Sequence, residues 1–176
     1  GGVNFEIQDI TAHGTNLVAI AHQVSGVSTA LLLKSTGAGG AWSAATSTGI
    51  TATAVGQRVY SNGASIYYFA AGTSYLSTTL QRSTDTGANF TTIGTVNGWV
   101  RSITEFADRD GTNRVVFATE DTLYYTDNTS IFKLWSMPHP CRSLVNLGGN
   151  LLIFMDAMRV WLYKADGTTV DVSPGG

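Results

Sequence analysis

Apolar and polar positions alternate along this chain in short runs, separated by turns rich in glycine, serine and asparagine. Such runs are typical of β-strands, and no stretch keeps the apolar period of about 3.6 residues that an amphipathic helix requires. Four runs follow similar turns, and each predicts the second strand of a hairpin: Leu17–Ala21, Ile66–Ala70, Arg114–Ala118 and Leu151–Met155. The sequence therefore predicts an all-β protein with almost no helix.

Two further runs follow each of these hairpins. Third strands are predicted at Ala30–Lys34, Thr78–Arg82, Leu123–Thr126 and Arg159–Tyr163. Fourth strands are predicted at Trp42–Ala45, Phe90–Ile93, Phe132–Trp135 and Thr169–Val172. The chain thus divides into four rows of four strands, at about residues 3–48, 49–97, 98–139 and 140–174. Repeats of this length indicate a propeller, a solenoid or an array.

A turn motif recurs between the third and fourth strands. Its full form, Ser-Thr-Asp-Thr-Gly-Ala-Asn-Phe, occupies residues 83–90, and an imperfect copy with glycine in place of the aspartate occupies residues 35–42. Asp85 can accept hydrogen bonds from backbone N–H groups, Gly87 can adopt positive φ, and Phe90 restarts an alternating strand. We therefore predict a structural turn built on Ser83, Asp85, Gly87 and Phe90.

The pattern Ser-x-Asp-x-Gly-x-x-aromatic resembles the Asp-box of BNR-type β-propeller repeats, which joins the third and fourth strands of a blade. The resemblance implies a β-propeller with four blades of four antiparallel strands, in a single domain over residues 1–176. Leu147–Phe154 and Trp161–Thr168 more loosely resemble propeller segments of virion proteins in phage tails and nozzles.

Charge and cysteine content narrow the classes of partner. The chain has 10 Lys and Arg against 12 Asp and Glu without a basic cluster, which argues against nucleic acid as the main partner. Cys141 is the single cysteine and excludes an internal disulfide. Because the apolar runs are short, no membrane insertion is predicted. The start, without a signal region or a Met, indicates a processed or excised chain.

Catalytic and cofactor-binding patterns are weak. Asp-boxes are known from sialidases, but the three glutamates lack a tyrosine partner in the sequence, and the Arg-Ile-Pro type motif of sialidases is absent. The three histidines lack metal-ligand spacing, and the glycines fall at hairpin turns rather than in a phosphate loop. The sequence thus predicts no catalytic residue, no metal and no cofactor.

One set of polar side chains recurs on the first strands of the rows. Alignment on the first turns places four residues at equivalent positions, namely Gln8, Gln57, Arg101 and Arg142. The residues that follow them are, in the same order, Asp9, Arg58, Ser102 and Ser143. The first strand of a propeller blade lines the central channel, where guanidinium groups can hold water or an anion. The candidate channel residues are Gln57, Arg58, Arg101 and Arg142. The alternative is a channel plugged by side chains without a ligand.

Three functions stay open at the level of sequence. The preferred prediction is a non-enzymatic β-propeller that acts as a structural or interaction module among other protein subunits of a larger assembly, in a virion or at a cell surface. The second is a carbohydrate-binding propeller, with Trp99 and Trp135 as candidates for stacking on sugar rings. The third is an Asp-box glycosidase.

Overall fold

The computed structural model describes residues 5–23, 30–37, 40–44, 57–72 and 76–174. These residues form strands and turns, without a helix. The chain divides into two compact units, a first unit of Gly1–Gly98 and a second unit of Trp99–Gly176. In each unit the strands form two sheets, and every sheet is an antiparallel meander of four strands that follow one another along the chain.

The first unit holds the sheets of the first two predicted rows. The first sheet contains β1 (Phe5–His13), β2 (Asn16–Gln23), β3 (Ala30–Ser35) and β4 (Trp42–Ala44). The second sheet contains β5 (Gln57–Ser61), β6 (Ile66–Ala71), β7 (Ser77–Ser83) and β8 (Thr91–Asn97).

The second unit holds the sheets of the last two predicted rows. The third sheet contains β9 (Ser102–Ala107), β10 (Asn113–Ala118), β11 (Thr122–Thr126) and β12 (Ile131–Ser136). The fourth sheet contains β13 (Cys141–Asn146), β14 (Asn150–Met155), β15 (Val160–Lys164) and β16 (Thr169–Asp171). The predicted all-β class and its four sheets of four antiparallel strands are therefore confirmed, whereas the single domain over residues 1–176 stays a prediction.

Each unit buries an apolar core between its two sheets. In the first unit, Ile20 and Leu32 pack with Tyr68 and Phe90, whose rings meet edge to face at a centroid distance of 6.2 Å. In the second unit, the core joins residues of both sheets: Phe106, Val116, Leu123, Leu144, Leu151, Ile153 and Tyr163. Alternate side chains of β14, Leu151, Ile153 and Met155, enter the core of the second unit, as expected when one face of a sheet is buried.

In both units an equivalent hydrogen bond joins the first strand of one sheet to the first strand of the next. We call the first strand of each sheet its inner strand. The Asp9 carboxylate accepts the backbone N–H of Val59 at 3.0 Å, linking β1 to β5. The Ser102 hydroxyl accepts the backbone N–H of Leu144 at 3.0 Å, linking β9 to β13. Asp9 and Ser102 are equivalent positions of their rows, so the contact between sheets repeats along the chain.

The turn between β7 and β8 is closed by side-chain hydrogen bonds. Ser83 Oγ donates to Asp85 Oδ1 at 2.7 Å and accepts the N–H of Gly87 at 2.8 Å. Asp85 Oδ1 accepts the N–H groups of Ala88 and Asn89 at 3.1 and 2.9 Å. The carboxylate thus satisfies backbone donors that have no partner in a strand ladder.

Acid should weaken this turn. The N–H of Asn89 and the hydroxyl of Ser83 hold the pKa of Asp85 well below its ordinary range. A carboxyl whose pKa is lower in the folded state stabilises the fold fully above its unfolded pKa of about 3.9 and loses this contribution as the pH falls further. We expect Asp85→Asn to lower the melting temperature at pH 7. Near pH 2 the melting temperatures of the variant and the parent should be nearly equal. Thermal unfolding from pH 2 to 7 measures this, and a difference independent of pH would contradict it.

Candidate functional site

A cleft opens between the third and fourth sheets of the second unit. Its deep part is narrow, with a volume of about 20 Å³, and is lined by side chains of both sheets: Phe106, Asp108, Arg114, Val116, Tyr125, Leu134, Tyr163 and Ala165. Its mouth is wider, with a volume of about 580 Å³, and adds Arg109, Asp110, Asp166 and Gly167. The turns β9–β10 and β15–β16 supply the charged groups at this mouth.

Arg114 holds one wall of the cleft in place. Its Nε donates to Asp108 Oδ2 at 2.6 Å and its Nη2 to Asp110 Oδ2 at 3.0 Å. Its guanidinium lies over the ring of Tyr125, 4.9 Å from the centroid, and the ring of Phe132 stacks on Tyr125 at 4.9 Å. The Tyr125 ring is thus contacted by a cation and by an aromatic ring, which fixes its orientation.

Tyr163 and Asp166 form the opposite wall. The Tyr163 ring meets Phe106 edge to face at 6.0 Å, and burial, with nearby carboxylates, raises the pKa of its phenol. Asp166 Oδ1 accepts the hydroxyl and the N–H of Thr168 at 2.6 and 2.9 Å. These bonds, with weaker attraction to Lys164 and Arg109, lower the pKa of Asp166. At neutral pH this wall therefore presents a neutral phenol and an ionised carboxylate.

Two carboxylates of the cleft, Asp110 and Asp166, are suited to binding rather than to proton transfer. Hydrogen bonds with the side chains of Asp108 and Thr112 lower the pKa of Asp110, and the pKa of Asp166 is also lowered. A glycosidase needs one carboxylic acid whose pKa is raised, so that it can protonate the leaving group. Neither Asp110 nor Asp166 meets this requirement.

Two of the candidate channel arginines form ion pairs within their own sheets. Arg101 Nη2 contacts Glu120 Oε1, and Arg142 Nε contacts Asp156 Oδ1. Glu120 lies in the turn between β10 and β11, and Asp156 lies in the equivalent turn between β14 and β15. Both guanidinium groups are therefore already close to a carboxylate, which reduces their attraction for a free anion.

The remaining channel candidates lie in the first unit. Arg58 is half-buried on β5, where it pairs with Phe69 of β6. Gln57 begins the same strand, and its side chain lies outside the described residues. Since these residues and the two ion-paired arginines belong to separate units, a shared channel stays a prediction.

The two candidate sugar-stacking rings already have neighbours. The guanidinium of Arg101 lies 4.6 Å from the centroid of the Trp99 ring. The Trp135 ring lies 5.2 Å from that of Trp161 at an angle of 47°, and both are half-buried against the core. Stacking of a sugar needs an open aromatic face, so these contacts reduce the surface that either ring can offer.

The cleft was not among the sequence predictions. Its most visible signal is Asp108-Arg109-Asp110, three consecutive charged residues in a chain with only 12% charged residues. The residues that complete the site, Tyr163 and Asp166, lie in the following row. Only the packing of the third sheet on the fourth brings them together.

Other kinds of site find little support. The structure groups no three His, Cys, Asp or Glu side chains into a metal site within the ranges it describes. Cys141 is buried, and this burial raises the pKa of its thiol to about 12, so the thiolate form is rare at neutral pH. Among the described residues, no helix has the length and apolar character needed to cross a membrane.

Comparison with known proteins gives structural matches only. No family model and no curated protein matches the sequence. The extracellular domain of the BT4673 system from B. thetaiotaomicron aligns with 94% of this chain at 18% identity and a TM-score of 0.63, and the chain spans 22% of it. The computationally designed Ika8 protein aligns with 97% at 12% identity and a TM-score of 0.60, and 49% of it is covered. A chain of the nidogen/laminin complex aligns with 96% at 10% identity and a TM-score of 0.53, and 80% of it is covered.

Four meanders of four antiparallel strands, together with these matches, decide the architecture. The fold is that of a β-propeller. At identities of 18% and below, the likeness extends to the fold and to nothing more specific. This chain spans about a fifth of the first structure it matches.

Proposed function

We propose that this β-propeller is a non-enzymatic interaction module that binds a protein partner at the cleft, as one subunit of a larger assembly. The observation that carries the proposal is the state of the cleft's charged groups. Asp108 and Asp110 are paired with Arg114, and the pKa of Asp166 is lowered. Such groups hold fixed charges that a partner can recognise, and the lowered pKa values of Asp110 and Asp166 make these two carboxylates poor proton donors.

The composition of the cleft also fits a protein partner. Tyrosine and arginine are the residues most enriched at the energetic centres of protein interfaces. Tyr125 and Tyr163 line the deep part beside the half-buried Leu134, and Arg109 and Asp166 lie at the rim. The ion pair of Asp108 with Arg114 also lies in the deep part, and arginine beside aromatic residues at the centre, with charged groups at the rim, is common in such interfaces.

A charge reversal at the rim tests the binding role. Arg109 is an exposed residue of the turn between β9 and β10, so we expect the Arg109→Glu variant to fold normally and to bind the native partner about tenfold or more weakly. Lys133→Glu is the matched control, since Lys133 is exposed on β12 outside the cleft. Affinity for the purified native partner is measured at two salt concentrations. Equal binding of both variants would contradict the proposal.

A test of hydrolysis addresses the glycosidase alternative. We expect no turnover of a panel of fluorogenic glycosides above the uncatalysed rate, because the lowered pKa values of Asp110 and Asp166 leave neither carboxylate protonated for transfer to a leaving group. Turnover that disappears in Asp166→Asn would contradict the non-enzymatic assignment.

Carbohydrate binding stays the second candidate. A glycan array detects it, and loss of binding in Trp99→Ala or Trp135→Ala would support it over the protein-binding role. The proposed setting is a virion or a cell surface. An extracellular domain among the structural matches agrees with a cell surface. An image of the native assembly would distinguish a cell surface from a virion.

A further inference from the structure

The fourth sheet carries an apolar face that is open to solvent. Its other face enters the core of the second unit through Leu144, Ile153 and Tyr163. Strand pairing places Leu152 between Val145 and Leu162, Phe154 beside Val160, and Val170 beside Leu162. We call these residues the fourth-sheet face: Val145, Leu152, Phe154, Val160, Leu162 and Val170.

The exposure of this face is unusual for a sheet. Val145 is 39% exposed, Phe154 38% and Val170 40%, and the other three side chains are half-buried. Contiguous apolar surface of this kind marks an interaction site on most soluble proteins. Polar groups are scarce between these side chains, so a matching apolar surface is the expected occupant.

The first sheet carries an apolar face of the same kind. Pairing places Ile7 and Leu31 on either side of Ala21, and Ile10 and Leu33 on either side of Ala19. Ile7 is 51% exposed and Ile10 50% exposed, while the two alanines between the larger side chains are buried. The first-sheet face consists of Ile7, Ile10, Ala19, Ala21, Leu31 and Leu33. Ile20 and Leu32, on the opposite side, belong to the core of the first unit.

A recurring hydrogen bond indicates what packs on the fourth-sheet face. Asp9 and Ser102 each accept a backbone N–H from the inner strand of the following sheet. Ser143 is the equivalent residue of the fourth sheet. It is half-buried, and its hydroxyl has no hydrogen-bond partner among the described residues. The acceptor that joins two sheets elsewhere is therefore present on β13, beside the exposed apolar face.

The Ika8 protein, one of the structural matches, is about twice as long as this chain, since the alignment covers 97% of this chain and 49% of that protein. A sheet that follows the fourth one must cover the fourth-sheet face and present an inner strand to Ser143. The first sheet of a second copy meets both conditions, since it has an exposed apolar face and β1 as its inner strand.

We propose that a second copy of this chain docks its first-sheet face on the fourth-sheet face, with Ser143 accepting a backbone N–H from β1 of that copy. The contact joins two different surfaces, so each copy offers both halves of it. Association is therefore head to tail, and it ends in a closed ring or continues as a filament. This interface is separate from the cleft, and it stands independently of the partner proposed there.

Light scattering coupled to size-exclusion chromatography tests the assembly. We expect a mass of at least twice that of one chain at micromolar concentration. Val170→Lys and Ile10→Lys each place a charge in one half of the contact and should raise the dissociation constant about tenfold or more. Met158→Lys is the control, because Met158 is 87% exposed in the turn between β14 and β15, outside both faces. A monomeric parent chain would overturn the proposal.

Mixing the two variants identifies which surfaces meet. Val170→Lys keeps an intact first-sheet face, and Ile10→Lys keeps an intact fourth-sheet face, so an equimolar mixture should form a complex that neither variant forms alone. Ser143→Ala should raise the dissociation constant about three- to tenfold through loss of one hydrogen bond. If Val170→Lys raises the dissociation constant and Ile10→Lys does not, the fourth sheets of two copies meet each other. That result would overturn the proposal that the first sheet of a second copy is the occupant.

Discussion

Replacing Phe106 with alanine is expected to destabilise the second unit by about 3–5 kcal/mol, the usual cost of deleting a buried phenylalanine ring. Phe106 is 1% exposed in the core between the third and fourth sheets, and its ring meets Tyr163 edge to face. The substitution removes the apolar contact of this ring with the fourth sheet and leaves a cavity that joins the cleft. Because whole domains are stable by only about 5–15 kcal/mol, urea unfolding should show a large shift of the midpoint.

Phe132→Ala is the matched control for this experiment. Phe132 belongs to the same unit, but it is 40% exposed on β12 and packs mainly on Tyr125. We expect a loss of about 1 kcal/mol, close to the value of an exposed aromatic pair. Equal losses for the two variants would mean that the core between the sheets contributes less than its burial indicates.

Gly87→Ala is expected to destabilise the first unit by about 2–4 kcal/mol. Gly87 has a φ of +84°, a backbone conformation that costs an L-residue about 1–2 kcal/mol. An added Cβ would also lie 2.9 Å from Leu32 Cδ2 and 3.2 Å from Lys34 Cε. Leu32 is buried in the core and has little room to move, so the close approach adds strain.

Gly63→Ala separates the two effects. Gly63 has nearly the same φ, +85°, but nothing lies within 4 Å of an added Cβ. We expect a loss of about 1–2 kcal/mol from the backbone alone. The excess loss of Gly87→Ala over this control, measured by urea unfolding, reports the packing of the turn against the first sheet. If the two variants lose the same stability, the turn accommodates the added Cβ of Gly87→Ala without further destabilisation.

The strands were predictable from the sequence because their signals are local. An apolar run after a Gly and Asn turn identifies a strand without knowledge of its partner, and all four predicted second strands lie within β2, β6, β10 and β14. Strand ends were less accurate. The fourth strand predicted at Phe90–Ile93 begins at Thr91 and extends to Asn97, because Phe90 turns into the core against Tyr68 rather than joining the ladder.

The cleft was not predictable by the same reasoning. Arg114 appears in the sequence only as the start of a strand, yet its partners Asp108 and Asp110 come from the preceding turn. Tyr163 and Asp166 reach the cleft from another sheet. Likewise, the predicted channel arginines Arg101 and Arg142 meet Glu120 and Asp156, which a comparison of first strands alone does not consider.

The amino-acid sequence by itself determined the class of the fold, the four-row repeat and the turn that contains Asp85. Each depends on neighbours along the chain: the period of side chains on a strand, the φ preference of glycine and the reach of a short carboxylate side chain. The tertiary structure alone decided which charges are paired, which aromatic faces are covered and where a cleft opens. These features depend on how one sheet packs on the next, since residues that are distant in the sequence then share a dielectric environment and a hydrogen-bond network.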